Sequence, residues 1–142
     1  MADRDTIDVI VRLSKVLEIA LADVVLTMNQ FRLLTLVQER SPSAAELSAR
    51  LVMKAPNVSA MTKGLVDRGL VERTQQADDG RRRDLMLTPA GESLVRAAHE
   101  RCAVALHALA AQTDDERLVA ELERWRPALD AAAVTLRRQV DG

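Results

Sequence analysis

Positive charge in this chain is bunched. Lys54, Lys63, Arg68, Arg73, Arg81, Arg82 and Arg83 lie in one stretch that holds only four acids, Asp67, Glu72, Asp78 and Asp79, a local excess of +3. Toward both ends the balance is reversed, with three basic and five acidic groups in the first 26 residues and seven against ten from Asp84 onward. Over all 142 residues there are 20 basic and 21 acidic side chains, a net charge of -1, so total charge advertises no polyanionic partner and any such contact is local. Only Lys15, Lys54 and Lys63 are lysines. Arginine therefore carries most of the positive charge, which suits forked contacts to phosphate or carboxylate, although a GC-rich codon bias produces the same usage. Within the stretch, Asn57, Ser59, Ala60 and Lys63 are short or basic side chains at helical spacing, and asparagine can pair with adenine through two hydrogen bonds.

The elements that must carry these residues follow from periodicity and capping. Apolar positions predict a helix from Thr6 to about Asp23 that is apolar on two faces and so wants two partners. Thr27 with Gln30, and Ser43 with Glu46, have the spacing of capping boxes that open helices from Met28 to about Glu39 and from Ala44 to about Leu51. Pro56 restarts a helix that runs to about Arg68, with Val58, Met61/Thr62 and Leu65 as its apolar stripe and Gly69 as a left-handed cap. Residues 70–75 and 84–88 read as strands joined by a loop containing Asp79-Gly80, a hairpin signal. Thr88-Pro89 opens a long helix through Leu109. Thr113 with Glu116 suggests a further capping box, before a last helix in which Leu118, Leu122, Trp125, Leu129, Ala132, Leu136 and Val140 form a seam interrupted by Pro127.

A helix-turn-helix followed by a slim hairpin with an arginine-rich tip suits double-stranded DNA, because a helix about 10–12 Å across fits the major groove and a hairpin reaches the neighbouring backbone or minor groove. Each piece also has a plainer reading. The helix from Pro56 can present an ordinary polar surface, and the arginine run can be a solvated tip. Asp79 either holds an arginine in a fixed pose or simply forms the Asp-Asp-Gly turn. Strand alternation puts Arg81 and Arg83 on one face and Arg82 on the other.

These segments resemble the MarR-type winged helix-turn-helix regulators over nearly the whole chain. The resemblance is carried by Ala44-Ala45-Glu46-Leu47-Ser48-Ala49-Arg50-Leu51, by Gly69-Leu70-Val71-Glu72-Arg73, and above all by Asp79-Gly80-Arg81 followed by Leu87-Thr88-Pro89-Ala90-Gly91, which matches the family's Asp-x-Arg and Leu-Thr-x-x-Gly. It implies a mainly α fold with a small β-hairpin wing, and a helical dimerisation stem formed by the N- and C-terminal helices. The corresponding divisions are residues 1–26, an N-terminal dimerisation helix; 27–90, the winged helix-turn-helix lobe; and 91–142, a C-terminal dimerisation region. It further implies a homodimer with each recognition helix, Pro56 to Arg68, in the major groove and each wing arginine, Arg81, in the minor groove. Arg73 would support the wing or touch phosphate. Apolar excess at both ends agrees independently with mutual burial by two chains, and two-fold symmetry predicts a pseudo-palindromic operator with half-sites about 10 bp apart.

Many members of that family answer to small, often phenolic anions, and Arg12, Lys15, Arg32 and Trp125 are the candidate contacts here, although Phe31 and Trp125 are the only aromatics. That scarcity also argues against single-stranded nucleic acid, which needs stacking platforms. Cys102 with His99 and His107 is the one soft-ligand cluster, but His107 is five residues beyond Cys102 and off its helix face, so no zinc site is expected. One branch of the family senses oxidants through a cysteine near the N-terminus, and Cys102 departs from that position. No Ser-His-Asp pattern or Gly-rich phosphate loop is present, so neither enzyme activity nor a cofactor is expected. No run approaches the roughly 18 apolar residues that span a bilayer, and acidic Asp3, Asp5 and Asp8 are unlike a signal peptide. With one cysteine and therefore no internal disulfide, the expectation is a cytoplasmic protein without a membrane partner. The summary expectation is a homodimeric regulator of transcription, a repressor released by an effector. The alternatives are a winged-helix protein-interaction module without DNA binding and an enzyme centred on Cys102 and His99.

Overall fold

The computed structural model describes residues 3–75, 83–113 and 117–132. The elements are α1 (Arg4–Ala22), α2 (Met28–Glu39), α3 (Ala44–Leu51), α4 (Ala55–Asp67), β1 (Val71–Gln75), β2 (Arg83–Leu87), α5 (Pro89–Thr113) and α6 (Arg117–Arg124). The chain turns at Trp125 and is helical again over 126–132. β1 and β2 form an antiparallel hairpin in which Val71 faces Leu87, Arg73 faces Leu85 and Gln75 faces Arg83. The result is mainly α with a two-stranded hairpin, as expected.

Local chemistry sets most of the boundaries. Both expected capping boxes form: Thr27 Oγ1 accepts from the Gln30 N–H at 3.1 Å, and Ser43 Oγ from the Glu46 N–H at 3.2 Å, while each partner side chain accepts in return from the cap residue's own N–H. α1 starts earlier than the periodicity predicts because the Asp3 carboxylate accepts from the Thr6 N–H at 2.9 Å, a bond that also holds this carboxyl below its ordinary pKa. Pro56 occupies the first turn of α4, where its missing N–H costs nothing. The expected capping box of Thr113 with Glu116 involves residues outside those described, 114–116. Thr113 itself closes α5, with its hydroxyl donating to the Ala110 carbonyl at 2.9 Å. The interruption expected at Pro127 falls two residues earlier, at Trp125, so Pro127 lies in the first turn of a second piece, where proline is tolerated. The end of its seam, Leu136 and Val140, lies outside the described residues.

Three helices end in the same hook, in which a left-handed residue lets the next N–H reach back five residues. Gly69 (φ 71°) does this for α4, with the Leu70 N–H donating to the Leu65 carbonyl at 3.0 Å. Val25 (φ 57°) and Val52 (φ 53°) do it for α1 and α3, with Leu26 reaching Leu21 and Met53 reaching Ser48, both at 3.1 Å. A β-branched residue in this conformation is strained by about 1–2 kcal/mol. Val52 is exposed and has little packing to lose, so Val52→Gly is expected to stabilise the protein by about 0.5–1 kcal/mol, read as a rise in the denaturant midpoint.

One core joins these elements. Leu21 from the end of α1, Leu33 and Leu34 from α2, Leu47 from α3, Val58 and Leu65 from α4, Val71 from β1 and Val95 from α5 are fully buried and belong to one cluster. α5 runs along both α1 and α2 and meets β2 at its start. The first half of α1 contributes nothing to this core: Ile7, Val9, Ile10 and Val11 are exposed, as are Trp125 and Leu129 near the other end.

The hinge between hairpin and α5 shows what the Leu87-Thr88-Pro89-Ala90-Gly91 segment does. The Thr88 N–H donates to the Leu70 carbonyl at 3.1 Å and its hydroxyl donates to the Gly69 carbonyl at 2.6 Å. The same hydroxyl accepts from the Gly91 N–H at 3.0 Å, so Thr88 caps α5 and clamps it to the end of α4 at once. Gly91 is buried directly against the Leu70 carbonyl, where any Cβ would collide with backbone.

Candidate nucleic-acid interface

α4 buries one stripe, Val58, Thr62 and Leu65, against α3 and β1. Burial of that stripe turns Asn57, Ser59, Ala60 and Lys63 outward, and all four are exposed. Lys54, the cap residue, is exposed at the helix start, where uncapped N–H groups and the helix dipole favour an anion. Lys63 is not idle: its Nζ lies 2.7 Å from Asp67 Oδ2 one turn later. Both side chains are well exposed, so this pair is worth little and a phosphate can displace it.

The hairpin assigns Arg73 a place that its sequence neighbourhood does not reveal. The register puts it on the same side as Val71, Leu85 and Leu87, the side that packs on the helices. Arg73 is nevertheless exposed, and it borders a small cavity between hairpin and α4. Arg83 opens β2 opposite Gln75. Asp79, Arg81 and Arg82 lie outside the described residues.

The four expected effector contacts are not gathered into one site. A cavity of about 570 Å³ opens between α1 and α2, lined by Ser14 and Glu18 from one helix and Asn29 and Arg32 from the other, over Leu26 and Met28. Of the expected four only Arg32 lines it. Arg12 lies two residues, hence about 200°, around α1 from Ser14, so it faces away. Lys15 meets the site only through Glu18, with its Nζ 3.2 Å from the Glu18 carboxylate. Trp125 sits at the turn beyond α6, half exposed. Sequence reading missed Ser14 and Glu18, although their four-residue spacing marks one helix face.

Cys102 is half-buried against the core, and burial pushes its thiol above the ordinary range, the reverse of what a reactive cysteine requires. The His99 Nδ1 lies 2.9 Å from the Val95 carbonyl and its ring meets Phe31 edge-on at 4.9 Å between centroids. No three metal-ligating side chains come together among the described residues. No helix among those residues is long and apolar enough to cross a membrane.

A scan against family models matches residues 26–82 to the MarR family, a span that holds α2 to β1. Over those residues the chain is similar to the MarR family of winged-helix proteins. Among solved structures, wild-type MarR from E. coli in its apo form is similar at 22% identity, covering 91% of this chain and 98% of that one with a TM-score of 0.73. The transcriptional repressor CouR bound to a 23-mer DNA duplex is similar at 28% identity, covering 91% and 87% with a TM-score of 0.69. A mutant MarR from E. coli complexed with operator DNA is similar at 24% identity, covering 83% and 85% with a TM-score of 0.65. No curated protein matches the chain.

Proposed function

We propose that the chain is a homodimeric, sequence-specific DNA-binding regulator of transcription, a cytoplasmic repressor that occludes its promoter and is released by a small-molecule effector. The observation that carries this reading is α4 itself, a helix whose outward face is Asn57, Ser59, Ala60 and Lys63, standing beside a hairpin within a MarR-family fold. Short side chains let such a helix approach base edges, and Arg81, Arg82 and Arg83, which follow β1 in the sequence, supply charge for the next stretch of duplex. Solved relatives with DNA bound support the same use of the fold.

Dimerisation is supported by the exposed Ile7, Val9, Ile10 and Val11 on α1 and by Trp125 and Leu129. Exposed apolar side chains in this number are buried when a second copy covers them. In this reading residues 1–26 and 91–142 pair the two chains and residues 27–90 read the duplex. The cavity between α1 and α2 is our proposed effector site, with Arg32 for the acidic end of a ligand. An effector there changes the spacing of the two heads, and both half-sites are then no longer met together.

A mobility-shift assay with the protein's own upstream region tests the reading. With about six phosphate contacts per dimer, the affinity is expected to fall with salt at a log-log slope of about -5. A flat salt response, or no retarded band with any duplex selected from a random pool, would instead favour a protein-docking winged helix. Asn57→Ala is expected to reduce discrimination against one wrong base in each half-site by about tenfold and leave the salt slope unchanged, because it removes a base contact and no charge. Selection of bound duplexes by the variant checks this: preference lost at every position alike would contradict the placement of Asn57 at a base edge.

A further inference from the structure

A second, smaller cavity of about 50 Å³ lies where α3, α4 and the hairpin meet. Leu47, Val58 and Leu85 wall it with buried apolar surface, and Thr62, Ser59 and Arg73 bring polar groups to it. Thr62 is only 4% exposed, and its Oγ1 has no hydrogen-bond partner among the described residues. Buried hydroxyls are seldom left so. Elsewhere in this chain helical threonines return the hydroxyl to the backbone: Thr35 donates to the Arg32 carbonyl and Thr113 to the Ala110 carbonyl, both at 2.9 Å. Thr62 does not, and it borders the cavity.

We propose that this cavity is a structural water site, in which one water bridges the Thr62 hydroxyl and the Arg73 guanidinium and so ties the inner strand of the wing to α4. The volume is enough to admit water, which needs about 10–15 Å³ of such space. A buried water also needs two to four polar partners, and here the Thr62 and Ser59 hydroxyls and the Arg73 N–H groups supply them. The register agrees, because Arg73 is on the helix-facing side of β1 and is placed to reach inward. Arg73 is then a positioning residue for the reading head, not a phosphate contact. This last consequence rests on the DNA-binding reading; the water site does not.

Three measurements on the full chain test it. A high-resolution crystal structure is expected to show an ordered water within hydrogen-bond distance of Thr62 Oγ1; a dry cavity, or a Thr62 hydroxyl bonded to the Val58 carbonyl, overturns the proposal. In thermal unfolding Thr62→Val is expected to lower the midpoint by about 3 °C, with Thr62→Ser, which keeps the hydroxyl, losing less. An unchanged or raised midpoint in Thr62→Val overturns it, because valine would then have removed only an unpartnered hydroxyl. Arg73→Met is expected to lower the midpoint similarly, and the double variant no further than the worse single one; additive losses overturn the bridge. On DNA, Arg73→Met is expected to weaken binding with an unchanged salt slope. A slope shallower by about 0.9 would identify a lost phosphate contact and overturn the positioning role. Because the unfolding measurements need no duplex, failure of the water site and failure of DNA binding are separately visible.

Discussion

Gly91→Ala is expected to lower the thermal unfolding midpoint by about 8 °C, a consequence of one missing Cβ. The added carbon would collide with the Leu70 carbonyl oxygen, and that oxygen accepts the Thr88 N–H at 3.1 Å. Neither atom has a flexible side chain that can swing away, so the start of α5 and the end of α4 must separate. Overpacking of this kind costs about 3 kcal/mol, and alanine's better helix propensity returns about 1 kcal/mol. The net loss of about 2 kcal/mol corresponds to the stated shift for a chain of this size. Gly64→Ala is the internal control, since nothing lies within 4 Å of a Cβ there. It gains the helix propensity without the collision, so its midpoint is expected to rise by a few degrees. If Gly91→Ala were as stable as the parent, the clamp between wing and stem would not be built as described.

Arg81→Ala is expected to weaken operator binding about a hundredfold while leaving the dimer intact. A groove-contacting arginine is worth about 1–3 kcal/mol, and a symmetric dimer loses two of them with one substitution. Taking about 1.4 kcal/mol for each gives a tenfold loss per half-site, hence the product. The expected salt slope is shallower than the parent's for the same reason, because two cations no longer displace counterions. The dimer is expected to persist because the exposed apolar residues available for pairing, Ile7, Val9, Ile10 and Val11, are on α1 and not on the wing. Size-exclusion chromatography with light scattering separates the two effects. A variant that elutes as a monomer would refute the assignment of Arg81 to the wing's DNA contact.

Both predictions start from motifs legible in the sequence, but they differ in what the structure adds. The Leu-Thr-x-x-Gly segment is visible as a pattern, whereas its chemistry, a threonine that caps one helix and holds the carbonyl at the end of another, needs the two chain segments side by side. For the arginine run the structure adds only the register of the two strands that it lies between in sequence. The hook residues show the opposite case. Gly69 was readable because glycine favours a left-handed backbone, while Val25 and Val52 adopt the same backbone against their own preference. Such strain is held by the packing on either side, here Leu26 and Leu47, which single-residue propensity does not register.

By itself, the sequence determined where α2 and α3 begin and end, which stripe of α4 is buried, and where positive charge concentrates. Capping boxes, helical periodicity and charge counts act within a few residues, so a linear reading captures them. Only the tertiary structure decided that Arg73 lies on the helix-facing side of the hairpin, that Thr62 is a buried hydroxyl without a partner among the described residues, and that Arg32 shares a cavity with Ser14 and Glu18 while Arg12 and Trp125 do not. Each depends on which face of an element meets a neighbour distant in the chain. Burial is a property of pairs of surfaces, and one strand or helix read alone carries only half of it.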